Sequence, residues 1–328
     1  MRIKAYIAGI SGLRLTDQER SFFEAEMPWG FILFARNVAD PAQVADLVSD
    51  LRRLTGRPDT PVLIDQEGGR VQRLRPPHWP SYPPGRLIGR IYAESEERGL
   101  RAAWLHSRLM ALDLFRLGIN VDCLPVLDVP VEGAHDVIGD RAYSFEPVEV
   151  AEIARAACRG LLDGGVLPVI KHIPGHGRAC ADSHKDLPRV TTHAAILGCT
   201  DFYPFTQLSD MPLAMTAHVV YSAFDPDRPA TTSPFMISTV IRGWMGYDGL
   251  LMSDDLSMNA LSGDFADRTR SAFAAGCDVV LHCNGVMSEM QAIAAETPEL
   301  RGVAARRAVA ALERLCRPEE VDEAALRS

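Results

Sequence analysis

The 328-residue sequence predicts an α/β fold, a (β/α)8 TIM barrel. Three features point there. About eight short apolar runs are spread along the chain. Amphipathic stretches with helical spacing lie between most of them. Chemically useful polar residues collect where the apolar runs stop, which is where such a barrel assembles its active site. An open dinucleotide-binding sheet would want a G-x-G-x-x-G turn after the first strand. Gly9, Gly12 and Gly30 do not give that spacing.

The first run, Ile3–Ala8, is too short and too quickly interrupted for a signal-peptide core, so it reads as a strand. Further strands are expected at 30–34, 62–65, 121–124, 166–171, 213–217, 250–253 and 279–282. Helices are expected at 41–54, 96–117, 147–162, 233–244 and 265–275. A stretch rich in Ala, Arg and Leu, 298–316, closes the chain as a last helix. The expected domain organisation is a single catalytic barrel over 1–328, with the final dozen or so residues as a tail. One residue resists this scheme. Pro168 lies within the fifth strand, and a closed barrel has no free edge for a missing N–H. Either the strand starts after it or it holds a bulge.

Composition narrows the function classes. A net charge of −9 argues against an electrostatic nucleic-acid binder, and no basic cluster suggests an anionic membrane. No run approaches the ~20 apolar residues of a membrane span. The seven cysteines are odd in number and lack a C-x-x-C pair, which reads as reduced thiols rather than a disulfide framework or a zinc site. A cytoplasmic location and a monomeric state are expected.

Four segments carry the chemistry. In Ile64-Asp65-Gln66-Glu67-Gly68-Gly69-Arg70, a carboxylate stands where apolar character ends, and two glycines let the backbone turn. Asp65 and Arg73 are the preferred ligand contacts; Glu67, Arg70 and Arg73 could instead form a local ion-pair network. In Lys171-His172-Ile173-Pro174-Gly175-His176, the two histidines have the spacing of a helical zinc pair, but Pro174 and Gly175 break a helix. Lys171 and His172 are expected to donate hydrogen bonds at the barrel mouth. In Asp182-Ser183-His184, a carboxylate can orient an imidazole for proton transfer, or the histidine can be an ordinary surface residue. In Ser253-Asp254-Asp255, one acid can face the barrel axis as a nucleophile while the other supports the loop. His218 and Asn284 follow the sixth and eighth strands.

At these residues the chain resembles the family 3 glycoside hydrolases, specifically the bacterial β-N-acetylglucosaminidases. The matching motifs are IDQEGGRVQR at 64–73, IGDRAYS at 138–144, KHIPGHG with DSH at 171–184, and SDDLSM at 253–258, with a weaker MTAHVVY at 215–221. They span most of the chain in the family's order. The resemblance implies Asp254 as nucleophile and His184 as general acid/base, oriented by Asp182. It places Asp65, Arg73, Arg141, Lys171 and His172 around the terminal sugar. It also implies no cofactor, no metal, and a saccharide or muropeptide substrate. Many relatives carry Phe at the position of Ile173 and Ser-Phe at that of Ala142-Tyr143, substitutions that leave the chemistry intact. The resemblance leaves open phosphate instead of water as acceptor and glucose instead of the acetamido sugar. Readings from other classes are a barrel metallohydrolase using His172, His176, Asp182 and His184, and a non-catalytic sugar-binding barrel.

Overall fold

The computed structural model describes residues 2–179, 183, 186–318, 323 and 326. Eight parallel strands close into a barrel: β1 (Lys4–Gly9), β2 (Pro28–Leu33), β3 (Val62–Ile64), β4 (Val121–Asp122), β5 (Leu167–Ile173), β6 (Leu213–Thr216), β7 (Leu250–Asp255) and β8 (Val279–His282). Each strand pairs with its neighbours in sequence, and β8 returns to β1 through Ile7 opposite Leu281. All eight fall within two residues of the runs expected from sequence at either end.

Side-chain alternation divides the core into two layers. Ala5, Ile7, Leu63, Val169, Met252 and Leu281 fill the barrel interior. Their chain neighbours Tyr6, Ala8, Ile64, Ile170, Leu251 and Val280 face outward against the helices. Both faces are buried, so the strands read as continuous apolar runs rather than alternating ones.

The ladder resolves the position of Pro168. Leu167 and Val169 donate their N–H groups to Asn120 and Leu124 on the β4 side. Alternation turns the nitrogen of Pro168 towards β6, where pairing begins only at Val169 opposite Leu213. The missing donor falls before the first rung, and the strand accommodates proline without losing a ladder bond.

The helices expected from spacing form with small shifts: Pro41–Thr55, Glu96–Arg116, Pro147–Asp163 and Phe265–Ala275. Asp40 caps the first of these by accepting from the Gln43 N–H, with Pro41 at the first helical position. Glu96–Arg116 and Pro147–Asp163 pack closely because Gly160 has no side chain; a Cβ there would lie 2.4 Å from the Trp104 carbonyl oxygen. Two helices differ from expectation. The segment 233–244 is helical from Pro234, within a residue of expectation, but over Met236–Trp244 it is wound as a wide π-helix, with the Met245 N–H donating to Val240. The closing helix is shorter than 298–316, spanning Gly302–Leu312.

Further helices lie at Asp17–Glu26, Gly85–Glu94, Ala194–Cys199, Tyr203–Gln207 and Met287–Glu296. Asp17–Glu26 buries only Glu19 and Phe23 and so shows little apolar periodicity; a Thr16–Glu19 capping box starts it. No helix among the described residues is long and apolar enough to cross a membrane.

Candidate active site

The carboxyl ends of the strands open onto a cavity of about 170 Å³. Asp65, Arg73, Arg141, Lys171, His172 and Asp254 all line it, brought together from positions up to 189 residues apart in the chain. Phe34, Glu67, Met215, Asp255, Met258 and Cys283 complete much of the wall. A larger cleft of about 390 Å³ lies where Asn120 and Gly165 precede β4 and β5, at the opposite end of the barrel. Conserved barrel geometry puts chemistry at the carboxyl end, and the smaller cavity is where the titratable groups converge.

The wall around β3 begins with a tight hairpin, Gln66–Gly68 against Val71–Gln72. Gly68 sits at φ +89°, and a Cβ there would meet the Pro83 carbonyl oxygen at 2.2 Å. Only glycine lets the hairpin press against the proline-rich segment behind it. The hairpin presents Asp65, Glu67 and Arg73 to the cavity.

These side chains form a chain of ion pairs. Lys171 Nζ lies 2.9 Å from Asp65 Oδ1 and 2.6 Å from Glu67 Oε1. Arg73 reaches the other Asp65 oxygen at 3.0 Å. Arg141 grips Glu67 with two parallel hydrogen bonds of 2.8 Å. Burial alone would raise both carboxyls. Lys171 and Arg73 overcome it at Asp65 and hold that group well below the usual carboxylate range. Arg141 and Lys171 hold Glu67 down at about 2. Lys171 is only 2% exposed, and burial would discharge it, but the two carboxylates raise it above its ordinary value. The network is therefore fully ionised across the neutral range.

The wall at β5 is set by Asp128, which is buried and follows β4. Its carboxylate accepts from the N–H groups of His172 and His176 at 3.2 and 2.6 Å, and lies 2.7 Å from His172 Nδ1. Burial would raise Asp128, but His172 and His176 bring it down to about 2. An ionised Asp128 can only accept, so His172 carries its proton on Nδ1 and turns Nε2 away from Asp128. The ladder register slips between Lys171 and Ile173, and this irregularity lets the successive Lys171 and His172 side chains both line the cavity.

Asp254 stands at the end of β7, and its Oδ1 accepts from the Asp255 N–H at 2.8 Å. The Asp255 carboxylate accepts from the Ser257 and Cys283 N–H groups, each at 3.1 Å, and from the Ser257 hydroxyl. The second acid thus ties the end of β7 to the end of β8. Asp182 and His184, the other two residues expected in catalysis, lie outside the described residues. Ser183 between them is described and buried. Its hydroxyl is 3.1 Å from His176 Nε2, and its carbonyl accepts from Ala260 beyond β7. Burial depresses His176 to about 4, so it is neutral at pH 7.

Some polar strand-end residues do not join the wall. Asn284 is engaged with Glu289, and His218 is buried behind Asp255. Arg70 leaves the hairpin and binds the carbonyls of Val137 and Ile138, holding the loop that carries Arg141. Among the described residues no three His, Cys, Asp or Glu side chains converge as metal donors.

The family model for the glycosyl hydrolase family 3 N-terminal domain matches residues 10–317. The chain belongs to glycoside hydrolase family 3. The β-hexosaminidase of Methylococcus capsulatus is 42% identical over 277 residues, covering 83% of this chain and 80% of that protein. The β-hexosaminidase of Alkalilimnicola ehrlichii is 39% identical over 288 residues, covering 87% and 82%. Native NagZ of Neisseria gonorrhoeae superposes with a TM-score of 0.87 at 31% identity, over the whole of this chain and 93% of that one. A family 3 β-N-acetylglucosaminidase from a Paenibacillus species gives a TM-score of 0.86 at 31% identity; this chain covers 62% of its length. The family 3 relationship makes this chain a glycoside hydrolase of the β-N-acetylglucosaminidase kind.

The family 3 site also contains residues that sequence spacing did not single out. Asp128 follows an unremarkable apolar run, and its role depends on β5 folding around it. Glu67 was visible as a member of an ion-pair cluster, but its partners Arg141 and Lys171 lie 74 and 104 residues away.

Proposed function

We propose that the chain is a retaining exo-β-N-acetylglucosaminidase that releases the terminal non-reducing sugar from cell-wall fragments ending in 1,6-anhydro-N-acetylmuramic acid. The carrying observation is the placement of the Asp254 carboxylate in one small cavity with the ion-pair wall of Asp65, Arg73, Arg141 and Lys171. A cavity of this size with charged groups on its wall suits a single sugar ring, which favours exo action. Asp65, with each oxygen already held by a cation, accepts from vicinal sugar hydroxyls, while Arg73, Lys171 and His172 donate.

In this reading Asp254 attacks the anomeric carbon and forms a glycosyl-aspartate. His184, oriented by Asp182, protonates the leaving oxygen and then activates a water, so configuration is retained. Ser183, between the two in sequence, is anchored to His176 and to Ala260 beyond β7. A related NagZ was solved with N-trifluoroacetyl-D-glucosamine, which fits an acetamido-sugar preference. We further propose a cytoplasmic monomer. The six described cysteines are all free thiols, as a reducing compartment permits.

The test is nitrophenol release from the β-N-acetylglucosaminide and the β-glucoside, side by side in phosphate-free buffer. The expected result is strong preference for the acetamido sugar, with a 5-fluoro-N-acetylglucosaminyl fluoride trapped on the peptide containing Asp254. Equal turnover of both sugars, or turnover only when phosphate is added, refutes the assignment.

A further inference from the structure

Behind the nucleophile lies a set of buried polar groups that the reaction described above does not use. Thr216, His218 and Thr231 are each fully buried. Thr216 ends β6, His218 follows it, and Thr231 comes from the short helical turn Ala230–Thr232. His218 Nε2 is 3.0 Å from the Asp255 carbonyl oxygen, and its Nδ1 is 2.7 Å from the Thr231 hydroxyl. The Thr231 and Thr216 hydroxyls are 2.7 Å apart. The Asp254 N–H points to the Thr216 hydroxyl at 3.3 Å.

The direction of every bond follows from what each group can do. A carbonyl oxygen only accepts, so Nε2 carries a proton. Burial drives His218 below its ordinary value against the pull of Asp254 and Asp255, with His172 adding to the lowering, so the ring is neutral and Nδ1 is an acceptor. Thr231 must then give its single proton to Nδ1 at 2.7 Å rather than to the Ala217 carbonyl oxygen, which lies further off at 3.2 Å. The Thr231 oxygen therefore accepts from Thr216, and Thr216 accepts from the Asp254 N–H. The run of bonds begins at the amide of Asp254 and ends at the carbonyl of Asp255, closing on adjacent residues.

We propose that His218 and Thr231 are positioning residues for the nucleophile: with Thr216 they form a closed, one-directional hydrogen-bond ring that fixes the backbone of Asp254 and Asp255 and hence the aim of the Asp254 carboxylate. None of the three touches the sugar, because Asp254 and Asp255 stand between them and the cavity. The ring acts on attack geometry, to which rate is sensitive, and leaves the wall that binds the sugar untouched. The inference rests on Asp254 being the nucleophile.

Two measurements test it. In steady-state hydrolysis of the nitrophenyl β-N-acetylglucosaminide, Thr231→Val is expected to lower kcat about tenfold, the worth of one buried hydrogen bond. KM should stay within about twofold. Thr231→Ser, which restores the hydroxyl, should recover most of the loss. A Thr231→Val enzyme with wild-type kcat, a Ser variant as impaired as the Val variant, or a loss confined to KM overturns the proposal. Nitrogen-15 NMR reads the ring in the unaltered wild-type enzyme. The His218 resonance, assigned by comparison with His218→Gln, should report the neutral Nε2–H tautomer at pH 7. The Nδ1–H tautomer or an imidazolium there breaks the ring as drawn, whatever Asp254 does. Full activity of Asp254→Asn would instead remove the nucleophile reading while leaving the tautomer result standing.

Discussion

Replacing Lys171 with methionine removes the cation at the centre of the pocket wall while keeping a side chain of similar length. Lys171 sits within hydrogen-bonding distance of two carboxylates and is almost wholly buried. Among the described residues, its loss leaves Asp65 with Arg73 as its cation and Glu67 with Arg141. Removing one member of a buried ion pair costs about 3–5 kcal/mol, because the remaining charges stay desolvated. At about 2 °C per kcal/mol for a large domain, Tm should fall by on the order of 6–10 °C at pH 7.5. The pH dependence carries a definite sign. In the wild type, Asp65 and Glu67 have depressed values, so their stabilisation is present above the unfolded carboxylate range and is lost only as pH falls towards about 2. The raised Lys171 loses its contribution only as pH climbs past its folded value, above the ordinary lysine range. Wild-type stability from this cluster is therefore flat between roughly pH 5 and 9. In Lys171→Met the carboxyl values rise, and protonation relieves the uncompensated charge. The gap between the two proteins should narrow on going from pH 7.5 to pH 5, followed by calorimetry or urea unfolding. A variant melting within about 1 °C of wild type at pH 7.5, or a gap that widens towards acid, would refute the argument that Lys171 compensates two buried carboxylates.

Asp254→Asn should fold with wild-type Tm and lose activity by about 10⁴-fold or more, measured by nitrophenol release, since an amide cannot form the glycosyl intermediate. Asp128→Asn replaces a carboxylate that only accepts with an amide that also donates, so His172 loses its fixed tautomer. The expected result is a kcat/KM about 10–100-fold lower in steady-state assays, in line with losing a charge-assisted hydrogen bond; unchanged kinetics would show that His172 needs no such partner. Gly68→Ala forces a Cβ against the Pro83 carbonyl at a positive φ, and calorimetry should show a destabilisation of at least about 1–2 kcal/mol, whereas an unshifted Tm would mean the hairpin relaxes freely.

The barrel was legible in the sequence because parallel strands buried on both faces leave contiguous apolar runs, and each such run from Lys4 to His282 became a strand. The strand-end positions of Asp65, Lys171, His172 and Asp254 were legible for the same reason: a polar residue stands out where a buried run stops. Spacing could not show what those residues do to one another. Glu67 and Lys171 meet only because β3 and β5 flank β4 in the closed sheet. Asp128 holds His172 only because the end of β5 and the turn after it bring the His172 and His176 N–H groups to a carboxylate from the segment that follows β4. Pro168 was a puzzle on the chain and became harmless in the ladder, where the register with β6 begins one residue later. His218 looked like one more polar residue beyond a strand, and the packing of Ala230–Thr232 against β6 turned it inward, behind Asp254 and Asp255. The one-dimensional pattern thus determined which segments form strands and where the chemistry-bearing residues emerge. Which charges pair, which proton sits on which nitrogen and which groups reach the cavity depend on distances across the barrel, and closure of the sheet decided those.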